Sequence, residues 1–278
     1  MTSPTIINQL LIWPILNLLI VFYKLFLLLK IPGALGLAII SLTLFIRLLL
    51  SPLTNAQLKS ALKMQELKPK IDALSKKHAN DKARLQQEQM KLYQQAGINP
   101  AAGCLPLLLQ MPVFIALYNV FWQILNNGNL GKIVQEINQV VYIPALRIQS
   151  VDLNFFGLNL ANKPADWQKV GWWLLLIPLI TAALQWYQTK LMSPTKQPAA
   201  NNLPQTGKKD NKEEDFAATM QNQMSIIFPL MIGWFAFSFP VGLSLYWNTF
   251  TILGIIQQKQ MQKAKINPST TLRARSQN

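Results

Sequence analysis

Long apolar blocks are the feature of this sequence that most constrains its fold. Five of them run close to 20 residues, the length that an α-helix needs to cross the hydrocarbon core of a bilayer. Only 13% of the residues are charged, whereas a soluble domain carries about 25%. The blocks therefore predict an all-α integral membrane protein.

A sixth apolar segment, residues 6–29, is harder to place. It is long enough to span, but Trp13, Asn17 and Lys24 interrupt its apolar character. We interpret it as an interfacial amphipathic helix, with a sixth span as the alternative. The predicted order is an interfacial helix at 4–30, TM1 at 34–53, a helical hairpin at 54–96, TM2 at 103–125, a loop at 126–168, TM3 at 170–190, a disordered loop at 191–221, TM4 at 222–239, TM5 at 241–258 and a basic tail at 259–278.

The distribution of charge predicts the orientation of the chain. Segment 54–100 carries nine Lys and Arg residues, and the tail carries five with no acidic residue. Loop 126–168 has three basic and three acidic residues. The positive-inside rule thus predicts a multi-pass protein with 54–100, 191–221 and the C-terminus in the cytoplasm and loop 126–168 outside. The N-terminus shows no signal or transit pattern, which favours a bacterial plasma membrane.

Two cytoplasmic segments have different patterns. Residues 54–96 show apolar side chains at helical spacing on both sides of "KHAND", which predicts two helices folded as an antiparallel hairpin. A solvated linker is the alternative. Residues 191–221 are rich in proline, asparagine and charge, which predicts disorder.

Polar residues within the spans concentrate toward the cytoplasmic side. Such groups normally face a protein interior or a water-filled cavity, which predicts a hydrated pocket that is open to the cytoplasm and sealed outside. Ordinary hydrogen bonding between helices is the alternative for any single residue. The candidates are Thr43, Arg47 and Ser51 on one face of TM1, Gln110 in TM2, Gln185 and Gln188 in TM3, and Asn248 in TM5.

Arg47 is the most informative of these residues, since the predicted spans contain no Asp or Glu. A central arginine costs about 2.5–3.5 kcal/mol on insertion scales, and the surrounding leucines, isoleucines and phenylalanines offset that cost. Its anionic partner would then come from outside the chain. A small solute would make the protein a transporter or anion channel, whereas an acidic residue of another polypeptide would make it a chaperone for membrane segments. A passive lipid-perturbing scaffold is a third possibility.

Several chemistries are disfavoured by the sequence. The only cysteine is Cys104 and the only histidine is His78, so we expect no disulfide, no His-based metal site and no catalytic cluster. A GxxxxGK[ST] phosphate-binding motif is missing, so no nucleotide cofactor is expected. We therefore predict a protein without enzymatic activity.

Three long motifs carry a family resemblance. "LGLAIISLTLFIRLLLSPLT", "NPAAGCLPLLLQMP" and "FPVGLSLYW" resemble segments of the YidC/Oxa/Alb membrane protein insertases, in the short bacterial form without the large periplasmic domain. The resemblance implies a monomeric five-helix core with a hydrophilic groove open to cytoplasm and lipid. It also implies that hydrophobic segments leave along a slide formed by core helices three and five.

The resemblance also implies roles for individual residues. Arg47 corresponds to the groove arginine, Gln110 to the groove glutamine, and Tyr246 and Trp247 to aromatic positions of the substrate-contacting last helix. The implied partners are nascent membrane proteins, membrane lipids, and the ribosome and Sec translocon, with no DNA. Thr43, Ser51, Gln185, Gln188 and Asn248 come from the helical-face argument instead.

Overall fold

The computed structural model describes residues 3–78, 81–97, 105–127, 130–192 and 216–266, and the chain is largely helical over these ranges. A short π-helix at Asn8–Ile12 leads into the first α-helix. The α-helices are α1 Trp13–Leu28, α2 Ala34–Leu49, α3 Ser51–Lys77, α4 Lys82–Gln95, α5 Leu105–Asn127, α6 Leu130–Val140, α7 Trp167–Val170, α8 Leu176–Met192, α9 Phe216–Ser238 and α10 Val241–Ile266.

The last helix, α10, organises the bundle. It packs against α2 on one side and α8 on the other, and it also contacts α5, while α8 packs along α9. The buried face of α2 consists of Leu35, Ala38, Ile39 and Leu42, at the spacing that places side chains on one side of a helix. Arg47 lies near the cytoplasmic end predicted for this helix, next to the boundary of that apolar core.

Among the described residues, Asn8–Leu28 is the one helical stretch that is both long enough and apolar enough to cross a membrane. The helix α2 and residues Ser51–Leu67 meet the same two requirements together, as a pair bent by 68°. Ile226–Ser238 is a shorter apolar stretch. The five-span count therefore stays a prediction, because the other predicted spans are interrupted by polar residues or extend into residues outside the described ranges.

The backbone breaks inside two of the predicted spans. TM1 was expected to run to 53, but α2 ends at Leu49 and α3 begins at Ser51. Pro52 explains the break, since it has no N–H and its ring would clash with the carbonyl of Leu48. TM3 was expected to begin at 170, but Gly171 has φ +140° and is followed by a 3-10 turn, so α8 starts at Leu176.

Segment 126–168 contains structure that the sequence reasoning missed. It includes α6 and a small antiparallel pair, β1 Asn154–Phe155 with β2 Leu158–Asn159, joined by a two-residue turn. This pair is the only departure from all-α structure among the described residues. The end of the segment caps α10, because Gly242 N donates to the carbonyl of Leu160 at 2.8 Å. Both α2 and α10 thus begin beside this segment and run away from it in the same direction.

The N-terminal helix lies against the same segment. The side chain of Asn17 donates to the carbonyl of Val140 and accepts from Tyr142 N, at 2.9 and 2.8 Å. Lys24, two turns further on, donates to the carbonyl of Ala145. These contacts hold α1 against the 126–168 segment, and α1 also packs along α2. The interfacial placement of 4–30 nevertheless stays a prediction.

The described ranges leave some predicted segments untested. The disorder predicted for 191–221 falls mainly on 193–215, and most of the tail predicted at 259–278 falls on 267–278; both lie outside the described residues. In segment 54–96, α3 and α4 contact each other, with Asp81 capping α4 by accepting from Arg84 N at 3.0 Å. The position of these two helices relative to the membrane stays a prediction.

The contact between Phe155 and Gly36 gives a testable expectation about the outer end of the bundle. A Cβ on Gly36 would overlap the ring of Phe155. We expect Gly36→Ala to destabilise the protein by about 1–3 kcal/mol through overpacking. In a Phe155→Ala background the same substitution should be neutral or stabilising by up to about 1 kcal/mol, since alanine favours helix.

Thermal unfolding of the four variants in detergent measures this double-mutant cycle. Equal effects of Gly36→Ala in both backgrounds would contradict the packing of the 126–168 segment against α2.

Candidate functional site around Arg47

Arg47 projects from the last turn of α2 toward α10. Its Nη2 donates to Oε1 of Gln257 at 3.2 Å, and its guanidinium carbon lies 4.3 Å from the centre of the Phe250 ring. A cation over an aromatic face is attracted by the ring quadrupole. Arg47 therefore joins α2 to α10 through one hydrogen bond and one cation–π contact.

The charge of Arg47 is not neutralised by the described residues. Its Nε and Nη1 are buried without a hydrogen-bond partner, and no carboxylate of the described part of the chain lies within ion-pair distance. A buried donor without a partner costs about 1–3 kcal/mol, and more when it is charged. The site is thus arranged to gain free energy when an anion, a carbonyl or water reaches the guanidinium.

Gln257 connects Arg47 to the start of α3. Its Nε2 donates to Oγ1 of Thr54 at 2.9 Å and to Oδ1 of Asn55 at 2.8 Å. Sequence reasoning missed Gln257 and Phe250, because the polar face predicted for TM5 was that of Asn248 and not that of these two residues. Their signal is visible in retrospect, since Phe250, Gly254 and Gln257 follow one another at 4-3 spacing on one face.

Gly254 lets two polar side chains approach α10 closely. A Cβ there would lie 2.8 Å from Nη2 of Arg47 and would also overlap Nε2 of Gln188 on α8. The structure therefore brings the predicted residues Arg47 and Gln188 together, although they lie on different helices. The glycine is needed for space, not for an unusual backbone conformation.

A cavity of about 220 Å³ opens beside Arg47 between α2 and α10. Ser51, another predicted residue, lines it from the first turn of α3, together with Asn55. The break at Leu50 changes the direction of the chain, so Ser51 reaches this cavity without continuing the straight polar stripe that was predicted. The remaining lining residues are Leu44, Leu48, Leu253, Ile256, Gln257 and Gln260.

A second group of predicted residues lies around Trp247. The indole Nε1 of Trp247 donates to Oε1 of buried Gln185 at 3.2 Å, and the indole meets the ring of Phe114 edge-on. Trp247 also lines an apolar cavity of about 360 Å³ between α5, α8, α9 and α10. This group places a polar contact next to a wide apolar surface.

The other predicted residues divide into three cases. The hydroxyl of buried Tyr246 and Oδ1 of Asn248 are buried without a partner, as expected where water or a guest supplies the missing hydrogen bond. Thr43 donates to the carbonyl of Ile39 in its own helix at 2.6 Å, so it is not part of the Arg47 contacts. The side chain of Gln110 lies outside the described residues.

Among the described residues, no group of three or more His, Cys, Asp or Glu side chains is placed to hold a metal ion. The site presents the guanidinium of Arg47 beside a cavity, several amides and hydroxyls, and an apolar surface nearby.

Comparison with known proteins identifies the family. The model of the 60Kd inner membrane protein family matches residues 12–268. The membrane protein insertase YidC of Oceanobacillus iheyensis is 35% identical over 235 residues, which cover 82% of this chain and 74% of that protein. The inner membrane ALBINO3-like protein 1 of Chlamydomonas reinhardtii chloroplasts is 33% identical over 245 residues, 84% of this chain.

Three of the matched chains are much longer than this one. The chain spans 45% of the length of the Chlamydomonas protein and 47% of that of ALBINO3 from Arabidopsis thaliana. A crystal structure of an active YidC insertase with its first transmembrane domain resolved matches 89% of this chain and 45% of that chain, at 29% identity and a TM-score of 0.48.

The comparisons confirm the resemblance carried by the three sequence motifs. Because the family model covers nearly the whole sequence and the Oceanobacillus relative matches most of both lengths, this chain belongs to the 60Kd inner membrane protein family, that of the YidC/Oxa/Alb membrane protein insertases.

Proposed function

We propose that this protein is a membrane protein insertase that receives the polar part of a nascent membrane protein at Arg47 and releases its hydrophobic segment laterally into the bilayer. The observation that carries the proposal is the guanidinium of Arg47, whose Nε and Nη1 are buried without a partner. An acidic or polar segment that enters from the cytoplasm would supply those partners and would be shielded from lipid.

The apolar cavity beside Trp247 supports lateral release. It is lined by Met111 and Phe114 of α5 and by a run of α9 side chains. Several large hydrophobic side chains of α9 are exposed, among them Leu230 and Trp234, and they continue the apolar surface outward. A hydrophobic segment could thus move from the polar site onto an apolar face without meeting water.

The direction of transfer follows from the predicted topology. We propose a multi-pass protein of the bacterial cell membrane whose Arg47 site opens to the cytoplasm and whose C-terminus is cytoplasmic. Phe155 packed on Gly33 and Gly36 supports closure of the outer end of α2. The partners would be nascent membrane proteins, lipids, and the ribosome and Sec translocon, and the functional unit would be a monomer.

In this proposal, insertion is driven by the burial of apolar surface and by the membrane potential. Burial of apolar surface contributes about 25 cal/mol per Å². A membrane potential that is negative inside draws an acidic residue outward with about 2.3 kcal/mol per charge per 100 mV. The insertase would therefore lower a barrier without catalysing a bond change.

Reconstitution tests the proposal directly. Liposomes containing the purified protein should insert a membrane substrate into a protease-protected state, and liposomes without it should do so poorly. An anion flux that depends on Arg47, with no insertion, would instead indicate the anion-channel alternative.

Gly254 provides a second test at the same site. In Gly254→Ala the new methyl would displace Arg47 and Gln188 from their positions against α10. We expect insertion to fall several-fold while the melting temperature stays equal or rises, because alanine favours helix by about 1 kcal/mol. Insertion assays and thermal unfolding of the same preparations measure both effects.

The matched control for this test is the double variant Gly254→Ala with Gln188→Ala. The second substitution removes one of the two side chains that the new methyl would overlap, so it should restore part of the insertion activity. Unchanged insertion by the single variant would show that the close approach of Arg47 to α10 is not needed.

A further inference from the structure

The cavity beside Arg47 forms a surface groove between α2 and α10, and the polarity of its lining changes along its length. The two helices run in the same direction, so the groove has a defined order from outer to inner end. Leu44 and Leu253 come first, Leu48 and Ile256 follow, and Ser51, Asn55 and Gln260 come last. Arg47 and Gln257 lie between the apolar and the polar portions.

The apolar portion of this groove faces outward from the bundle. Leu48 is 63% exposed and Ile256 is 47% exposed, although both belong to helices predicted to span the bilayer. Exposed apolar side chains on a helix of a membrane protein are suited to contact with acyl chains. This surface is distinct from the apolar cavity beside Trp247.

The polar portion of the groove suits an anion. Arg47 contributes a guanidinium with two nitrogens that lack partners. Ser51 and Asn55 at the start of α3 and Gln260 on α10 add polar side chains to the same cavity. A guanidinium with neighbouring hydrogen-bond donors is a setting suited to phosphate.

We propose that the groove between α2 and α10 binds one anionic phospholipid of the cytoplasmic leaflet, with its phosphate at Arg47 and the start of α3 and its acyl chains along Leu44, Leu48, Leu253 and Ile256. A phospholipid matches both the charge and the order of polarity along the groove, whereas a free anion matches only the inner end. The lipid would serve as the resting counter-ion of Arg47 until a substrate displaces it. The proposal rests on the cytoplasm-facing orientation of the proposed function, but not on insertion itself.

Native mass spectrometry of the full chain from micelles containing equal dioleoylphosphatidylglycerol and dioleoylphosphatidylcholine tests this site. The wild type should retain phosphatidylglycerol preferentially. Loss of a charge-assisted contact in Arg47→Gln should reduce that retention about tenfold. Arg147→Gln, which changes an exposed arginine in the 126–168 segment, should retain it like the wild type.

Two further variants separate a lipid from a free ion. Leu48→Ala and Ile256→Ala keep Arg47 and should weaken phosphatidylglycerol retention through lost acyl-chain contact. Retention that is insensitive to both variants but abolished by excess inorganic phosphate would overturn the lipid assignment in favour of a free-anion site. Equal retention of the two lipids by the wild type and Arg47→Gln would overturn the site altogether.

The same variants distinguish this inference from the proposed function. Arg147→Gln, which lies outside the groove, should retain phosphatidylglycerol and insert substrate into liposomes as the wild type does. If insertion is absent for every variant and for the wild type while phosphatidylglycerol retention follows the expected pattern, the proposed function fails and the lipid site stands.

Discussion

Arg47→Ala should slow insertion of a substrate with an acidic translocated tail by about tenfold, equivalent to about 1.4 kcal/mol, whereas Arg47→Lys should retain much of the activity if charge alone matters. The reason is that Arg47 supplies the positive charge of the site, and two of its nitrogens are buried and unpartnered. Insertion into proteoliposomes, followed by protease protection, measures the effect.

The melting temperature of this variant shows whether lost insertion reflects the site or unfolding. Arg47→Ala removes two buried, unpartnered nitrogens together with one hydrogen bond and one cation–π contact, so we expect little net change in the melting temperature. A substrate that differs only in having a neutral tail should depend less on Arg47. Arg147→Ala, in the 126–168 segment, is the matched control and should insert both substrates normally. Wild-type rates for the acidic substrate in Arg47→Ala would contradict the charge role.

Deletion of Lys59–Gln95 should also reduce insertion strongly, while the core still assembles. The deleted part consists of α4 and most of α3, which contact each other. The first two turns of α3 remain, so Thr54 and Asn55 can still hold Gln257. Insertion would fall because the Arg47 site would lose the two predicted cytoplasmic helices that adjoin it through the start of α3.

A short glycine–serine linker in place of 59–95 provides the comparison chain. Its melting temperature in detergent should stay near that of the wild type, while its insertion rate drops. A core that fails to fold would assign the two helices a structural role instead.

Sequence patterns predicted the family and the unusual setting of Arg47, because both depend on local information. An arginine in an apolar block with no acidic residue in any predicted span already implies an external partner. The three long motifs then led to the family that the comparisons confirm.

Other parts of the site depend on how distant segments meet, which spacing along one helix does not reveal. Gln257 lies 210 positions from Arg47 in the chain, and the two are partners because α2 and α10 pack together. Gly254 is an unremarkable residue in the sequence, yet it decides how closely Arg47 and Gln188 approach α10.

The bend at Leu50 shows the limit of helical-face reasoning. The predicted stripe assumed one straight helix through Ser51, although Pro52 was visible in the sequence and breaks that helix. Ser51 still reaches the Arg47 cavity, but the hydroxyl of Thr43 donates to a backbone carbonyl of its own helix.

The helix α6 was detectable in principle from the sequence, because Ile133, Ile137 and Val140 recur at helical spacing.

Photo-crosslinking from position 188 to a stalled nascent membrane protein tests the central claim most directly. Gln188 lies beside Arg47 across Gly254, so a probe there reports the guest while the arginine stays in place. Phe156, exposed in the turn of the small β-pair, is the control position. The account predicts adducts between position 188 and the polar tail of the nascent chain, and none from position 156; no adduct at 188, or equal adducts at both positions, would contradict it.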